Sequence, residues 1–315
     1  MYMPVFIILC MALITLTLFF LSFGYICFRR ACRRSKRRDP AARGLVRTER
    51  YGEYAAVMEA ALALYEKEKK EEVCALSFDS LRLCATYIEA QNNNGKLIIA
   101  FHGYRSCAAA DFAPIYRAFL DEGYSLLLPY QRSHGKSEGK YIGLGALERK
   151  EVLCWCEYAK ERFGENVKIY LYGISMGAST VTFASCDAPP SQVKATVADC
   201  GFTSPFDIIK NTLAHKNKIP PFPVIYFMNF WSRILAGFDF NEISALKAAK
   251  HASVPILLIH GAKDTYVPTD MSCAIHARSD KKTELALFEN ATHARSHLAH
   301  TEKYISTVLA FLKNK

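Results

Sequence analysis

Ser175, Asp264 and His293 lie far apart in the chain but are the residue types that together make a serine nucleophilic. A serine hydroxyl alone is a weak nucleophile. It needs an imidazole in contact to take its proton and a carboxylate to orient that imidazole. Ser175 is the centre of Gly173-Ile174-Ser175-Met176-Gly177, directly after the apolar run 167–171. That pattern describes a strand ending in a sharp turn that presents the hydroxyl at the start of a helix. Asp264 closes Gly261-Ala262-Lys263-Asp264 after the run 255–260, and His293 closes the loop after the run 284–288. Each residue therefore falls just past the carboxyl end of a predicted strand, where open α/β sheets place their sites. The chemistry expected of this set is acyl transfer through a covalent serine intermediate.

The oxyanion that forms in such a reaction needs backbone donors. The strand 96–101 runs into His102-Gly103-Tyr104-Arg105, so the amides of Tyr104 and Met176 are the expected pair. Rivals exist for two of the three roles. Asp199 also ends a strand, but the loop position of Asp264 is favoured. His297 and His300 follow His293 closely, but helical periodicity assigns them to the final helix. His102 and His134 are read as ordering their loops, and His260 as a residue of a buried strand. No group of His and carboxylates has metal-ligand spacing, so neither metal nor cofactor is expected.

The elements that must position these residues follow from hydrophobic periodicity. An amphipathic helix is predicted over 49–72, with Tyr54, Met58, Leu62 and Tyr65 on one face. The segments 73–78 and 81–89 alternate around Asp79-Ser80 as a hairpin. Short buried strands at 96–101, 125–128, 167–171, 194–198, 255–260 and 284–288 then alternate with helices near 111–120, 146–163, 176–185, 269–278 and 297–312. This alternation implies right-handed crossovers and a mostly parallel sheet covered on both faces. More than fifty residues separate the strands at 194–198 and 255–260, and they include the run from Pro220 to Trp231. A connection of that length is usually functional. Its aromatics, Phe222, Tyr226, Phe227 and Trp231, are expected to form a small lid and touch substrate.

The net charge of +10 is local. Residues 29–50 hold ten Lys/Arg against two acids, and no charged side chain precedes residue 29. The remainder is nearly neutral, which argues against a nucleic-acid partner. Residues 4–28 are an uncharged apolar stretch of 25 residues, long enough to cross a bilayer core of about 30 Å. Basic residues follow this stretch instead of preceding it, so an uncleaved anchor is favoured over a signal peptide. The positive-inside rule then places the basic segment and everything after it in the cytoplasm, with the cluster also available to anionic headgroups. The eleven cysteines are odd in number and irregularly spaced, as expected of thiols in a reducing compartment. Cys27 and Cys32 flank the membrane boundary and would be open to acylation in a eukaryotic host.

With these motifs in place, residues 73–313 resemble the α/β-hydrolase superfamily. The resemblance is carried by His102-Gly103, the Ser175 turn, Gly261-Ala262-Lys263-Asp264 and the His293 loop. Gln131-Arg132-Ser133-His134-Gly135-Lys136-Ser137 is similar to the Arg-Gly-His-Gly-x-Ser loop of that superfamily, with Ser133 where glycine is usual. Asp199-Cys200-Gly201-Phe202, with Thr203-Ser204, resembles the membrane-tethered Bem46-like and ABHD-like branch, grouped with serine aminopeptidase-like hydrolases. The resemblance implies an α/β-hydrolase fold with a small helical lid after one transmembrane helix. The expected organisation is an anchor over 1–28, a basic segment over 29–50, a linker helix over 51–72 and a hydrolase domain over 73–315, its lid at about 202–250. The expected activity is hydrolysis of carboxylic esters or thioesters of lipid-like acyl substrates at the cytoplasmic membrane face. Peptide hydrolysis, which would need a carboxylate such as Glu138, Asp187, Asp207 or Asp239 for the substrate ammonium, is the alternative within the same chemistry. An inactive membrane-tethered interaction protein is the alternative outside it.

Overall fold

A computed structural model of the chain describes residues 2–34, 48–280 and 282–315. Its centre is an eight-stranded sheet in the order β1-β2-β4-β3-β5-β6-β7-β8. The strands are β1 (Glu71–Leu76), β2 (Arg82–Ile88), β3 (Lys96–Phe101), β4 (Tyr124–Pro129), β5 (Lys168–Ile174), β6 (Val193–Asp199), β7 (Ile256–Gly261) and β8 (Thr283–Phe288). The β1–β2 hairpin and the β2–β4 pairing are antiparallel, and every pairing from β4 onward is parallel. Strands β3 to β7 are apolar and buried along nearly their whole length. That is what a parallel sheet with helices on both faces requires. Side chains alternate across the pleat into two cores, one containing Leu97, Ile99, Leu171 and Ile256, the other Ile98, Tyr170, Val197 and Leu257.

In chain order the helices are α1 (Tyr2–Cys32), α2 (Ala55–Lys67), α3 (Ala108–Phe112), α4 (Tyr116–Asp121), α5 (Glu148–Phe163), α6 (Met176–Ala184), α7 (Pro205–Asn211), α8 (Pro221–Leu235), α9 (Ala245–His251), α10 (Asp270–Ala277), α11 (Ser296–Ala299) and α12 (Thr301–Lys313). The layout is that of an α/β-hydrolase, as the motifs implied. Several boundaries differ from expectation. The linker is a 3-10 turn over Thr48–Tyr54 followed by α2, and the chain is already paired as strand from Glu71. The helix expected over 111–120 is two short pieces, because Pro114 between them has no N–H to continue the ladder.

Helix α1 is the largest surprise of the architecture. Its first two-thirds projects outward, with Met3, Phe6, Ile8 and Leu13 largely exposed, whereas Phe28 and Cys32 are fully buried in the main core. It is long and apolar enough to cross a membrane. Its carboxyl end is fastened to the sheet domain. Arg34 donates to the carbonyls of Gly135 and Ser137, its own amide to Lys140, and Ile142 donates to Cys32. Arg34 is thus spent on structure, unlike the headgroup-facing role expected of the whole basic cluster, and buried Cys32 is withdrawn from acylation. Lys36, Arg37 and Arg38 of that cluster lie outside the described residues.

Candidate active site

Ser175 occupies a left-handed turn (φ 57°, ψ −116°) between β5 and α6, a conformation costly for a non-glycine residue and concentrated at functional sites. The surroundings hold it there. Its amide donates to the carbonyl of Asp199 at 2.8 Å. A Cβ on Gly173 would stand 2.1 Å from the Gly177 carbonyl oxygen, and one on Gly177 would stand 2.0 Å from that of Phe101. The two glycines of the motif are therefore sites of backbone contact, which is why no other residue fits there.

The three residues singled out from the sequence meet at this point. Ser175 Oγ lies 2.9 Å from His293 Nε2, and His293 Nδ1 lies 2.6 Å from Asp264 Oδ2. Burial would raise the Asp264 carboxyl, but hydrogen bonds from His260 and His293 and the amide of Val267 hold it down at about 2. An ionised carboxylate only accepts, so His293 must carry its proton on Nδ1 and present a lone pair on Nε2 to the serine. Asp264 Oδ1 is occupied by the amides of Tyr266 and Val267, both at 2.9 Å. Asp199, the rival acid, is directed elsewhere: it accepts from Tyr304 Oη at 2.9 Å, and burial pushes its carboxyl up to about 7. His297 is fully buried in the short helix after the loop, and His300 Nε2 pairs with the Glu289 carbonyl. Cys200 also approaches Asp264 and His293. Burial holds its thiol far above the ordinary range, and the oxygens of Asp264 are already engaged by His293 and two amides, which disposes the trio poorly to bind a metal.

The turn after β3 faces the serine, and a Cβ on Gly103 would lie 3.3 Å from that of Ser175. Half-buried Asp111 anchors this turn by accepting from the Gly103 amide at 2.6 Å and from Ser106 Oγ at 2.7 Å. His134, pushed down to about 4 by burial, is neutral and accepts the Arg105 amide at 3.0 Å. His102 likewise accepts the Gln131 amide. Both histidines order loops, as expected. Asp111 was missed, since nothing in its local sequence marks a partner eight residues upstream. Met176 opens α6, where first-turn amides have no intrahelical acceptor.

An apolar cavity of about 380 Å³ contains Ser175. Its walls include Ile208 and Ile209 of α7, Thr212 and Leu213 of the following π-turn, Met228 of α8, and Tyr104, Phe202 and Val267. Arg30, Arg105 and Lys216 supply its cations, and among the described residues no carboxylate lines it. Of the four aromatics expected to touch substrate, none lies in this wall. Phe227 stacks on Phe20 of α1, Trp231 Nε1 donates to the Leu21 carbonyl, and Phe222 and Tyr226 point outward. A second cleft of about 410 Å³ meets His293 and Tyr266, walled by Tyr51, Glu53, Tyr54, Thr292 and Arg295. Neither the presence of α1 residues such as Phe23 and Cys27 in the first cavity nor this second cleft was legible in the sequence.

The profile of the prolyl oligopeptidase family matches residues 143–315. The uncharacterized protein YqkD of Bacillus subtilis is 25% identical over 228 residues, covering 72% of this chain and 74% of that one. The lysophosphatidylserine lipase ABHD12 of Macaca fascicularis is 26% identical over 242 residues, covering 70% of this chain and 54% of the relative. This chain thus spans about half the length of the ABHD12 relatives. Among solved structures, the esterase Pf2001 of Pyrococcus furiosus superposes with a TM-score of 0.64 at 25% identity, over 81% of this chain and 93% of the esterase.

Proposed function

Because the chain belongs to the prolyl oligopeptidase family within the α/β-hydrolase superfamily, we propose that it is a membrane-anchored serine hydrolase of lipid-like carboxylic esters or thioesters. The observation that carries the substrate reading is the composition of the cavity at Ser175: among the described residues it has apolar walls, three cations and no carboxylate. A pocket that selected a peptide by its ammonium group would need an acid. Each acid considered for that role is engaged elsewhere. Asp207 accepts from Thr203 and Ser204, Asp187 pairs with Arg149, Glu138 accepts the Arg82 amide, and Asp239 binds Asn229. Arg30 and Lys216 at the rim favour a substrate with an anionic headgroup. That agrees with the lysophosphatidylserine lipase named among the relatives.

In the proposed reaction, His293 Nε2 takes the Ser175 proton as Oγ attacks the acyl carbon, while Asp264 stabilises the imidazolium. The Tyr104 and Met176 amides receive the oxyanion, each donor contributing about 3 kcal/mol in comparable sites. Collapse of the intermediate breaks the bond to the alcohol or thiol, which leaves with the proton from His293. Water then attacks the acyl-serine with His293 as base, releasing the acid and restoring the serine. The cleft of Tyr51, Glu53 and Arg295 offers a polar route for the leaving group and water. The exposed apolar surface of α1 and the basic residues after it support a single membrane span with the catalytic domain in the cytoplasm. The close contacts among Ser175, His293 and Asp264 speak against an inactive interaction protein.

Ser175→Ala should abolish both ester turnover and labelling by a fluorophosphonate. Labelling that survives the substitution sinks the assignment. An ester series of increasing chain length should show preference for long acyl groups, and cleavage confined to amides would favour the peptidase reading instead. A tag at the C-terminus should resist external protease in intact cells.

A further inference from the structure

The carboxyl-terminal third of α1 is built into the catalytic pocket. Phe23, Ile26, Cys27, Arg30 and Ala31 line the same cavity as Ser175. The helix is held in place from two sides. On the lid side, Gly24 lies against α8 so closely that a Cβ would stand 2.5 Å from Phe227 Cβ. Tyr25 packs on Trp231, and Trp231 Nε1 donates to the Leu21 carbonyl at 2.8 Å. On the catalytic side, Tyr104 Oη donates to the Ala31 carbonyl at 2.6 Å, and Arg105 donates to that of Arg30 at 2.8 Å. These two residues belong to the turn that faces Ser175, so the last carbonyls of α1 are capped by the loop beside the serine.

The cavity reaches the apolar surface of α1. Ile26 both lines the cavity and is 60% exposed. On α8, Tyr226, Phe230 and Ile234 recur every four residues and are all exposed, with Phe222 exposed at the non-helical start of the element. A stripe of that spacing lies along one face of a helix, and exposed apolar patches of this kind mark lipid or partner contacts. Because α8 packs directly on α1, its stripe extends the surface that α1 presents to a bilayer.

We propose that the membrane helix is a wall of the acyl-chain site, and that the chain of a bilayer lipid reaches Ser175 laterally past Ile26 and Cys27, between α1 and the lid. The inference rests on the reading of Ser175 as nucleophile. It assigns a specificity-determining role to a segment that otherwise serves as an anchor. Lipid already in the leaflet then need not pass through water to reach the site.

The test uses the full chain in phosphatidylcholine vesicles, labelled with a long-chain acyl fluorophosphonate that carries a diazirine near the tail. After photolysis, the tail should be cross-linked to the peptide spanning residues 23–31. In parallel, Cys27→Trp should lower the ratio of kcat/KM for dodecanoyl over butyryl esters by about tenfold or more, since it fills the wall that long chains touch. The ratio is independent of the fraction of folded enzyme. Cross-links confined to other segments, or a ratio within about twofold of wild type, overturn the inference while leaving the nucleophile intact. Absence of labelling in the wild-type chain overturns the nucleophile reading and this inference with it. If Cys27→Trp does not fold, the cross-link on the unaltered chain decides alone.

Discussion

Replacing Asp264 by asparagine separates the tautomer argument from simple loss of charge. In the native site Oδ1 accepts the amides of Tyr266 and Val267, and Oδ2 accepts His293 Nδ1–H at 2.6 Å, with His260 Nε2 at 3.2 Å. An asparagine keeps its oxygen on the two amides, so its NH2 group replaces Oδ2 and points at His293. The imidazole must then accept on Nδ1 and carry its proton on Nε2, where it confronts Ser175 with a hydrogen in place of a lone pair. A base in the wrong tautomer costs about 10⁴ in kcat, or about 5.5 kcal/mol. The effect on folding is smaller. The carboxyl is held at about 2 against an ordinary 3.8, so its contribution is present above pH 3.8 and is lost as pH falls through 2. At neutral pH that amounts to about 2 kcal/mol, well inside the stability of an ordinary domain. Active-site-titrated turnover of a short ester, beside urea unfolding, measures the two effects separately. A folded Asp264→Asn enzyme within about tenfold of wild-type kcat would refute the reasoning. Asp199→Asn is the internal comparison: its side chain bonds Tyr304, so it should retain kcat within about tenfold. Collapse of that variant alone would transfer the acid role to Asp199.

Three further outcomes follow from the packing. Ser133 occupies a left-handed conformation (φ 64°) where glycine is usual, and its buried Oγ has no partner among the described residues; Ser133→Gly should raise the unfolding free energy by about 1 kcal/mol in urea titration. His297 is pushed down to about 3, first by burial and then by Arg295. Its unfolded counterpart takes a proton near pH 6.5, so stability is full above that value and falls as pH drops toward 3. His297→Phe should remove about 3 kcal/mol of the loss between pH 7 and pH 4, read from urea midpoints at several pH values. Gly24→Leu would force α8 away from α1, since its Cβ meets Phe227 Cβ at 2.5 Å and the Phe227 carbonyl carbon at 3.0 Å. It should cost about 1–3 kcal/mol and depress long-chain more than short-chain ester turnover, and unchanged stability would contradict the helix contact.

Features encoded locally were legible in the residues alone. The strand-end positions of Ser175, Asp264 and His293, the two glycines of the turn, and the apolar run of α1 are each legible because a short motif or a period-two or period-3.6 pattern reports its own backbone. Tertiary structure decided what depends on distance. Asp111 holds Gly103 through a fold of the chain that no local pattern marks. Asp199, locally as good an acid as Asp264, is turned toward Tyr304 by the packing of α12. The aromatic run from Pro220 to Trp231 carries the composition of a substrate wall, yet the side chains that touch the cavity depend on which helix covers which face. Phe227 and Trp231 were claimed by α1, and the wall was completed by Phe23, Ile26 and Cys27. An apolar helix looks the same in sequence whether it meets only lipid or also a pocket. The difference arises from its carboxyl-terminal part, Phe20 to Cys32, which packs against Tyr104, Arg105 and α8 once the sheet has formed.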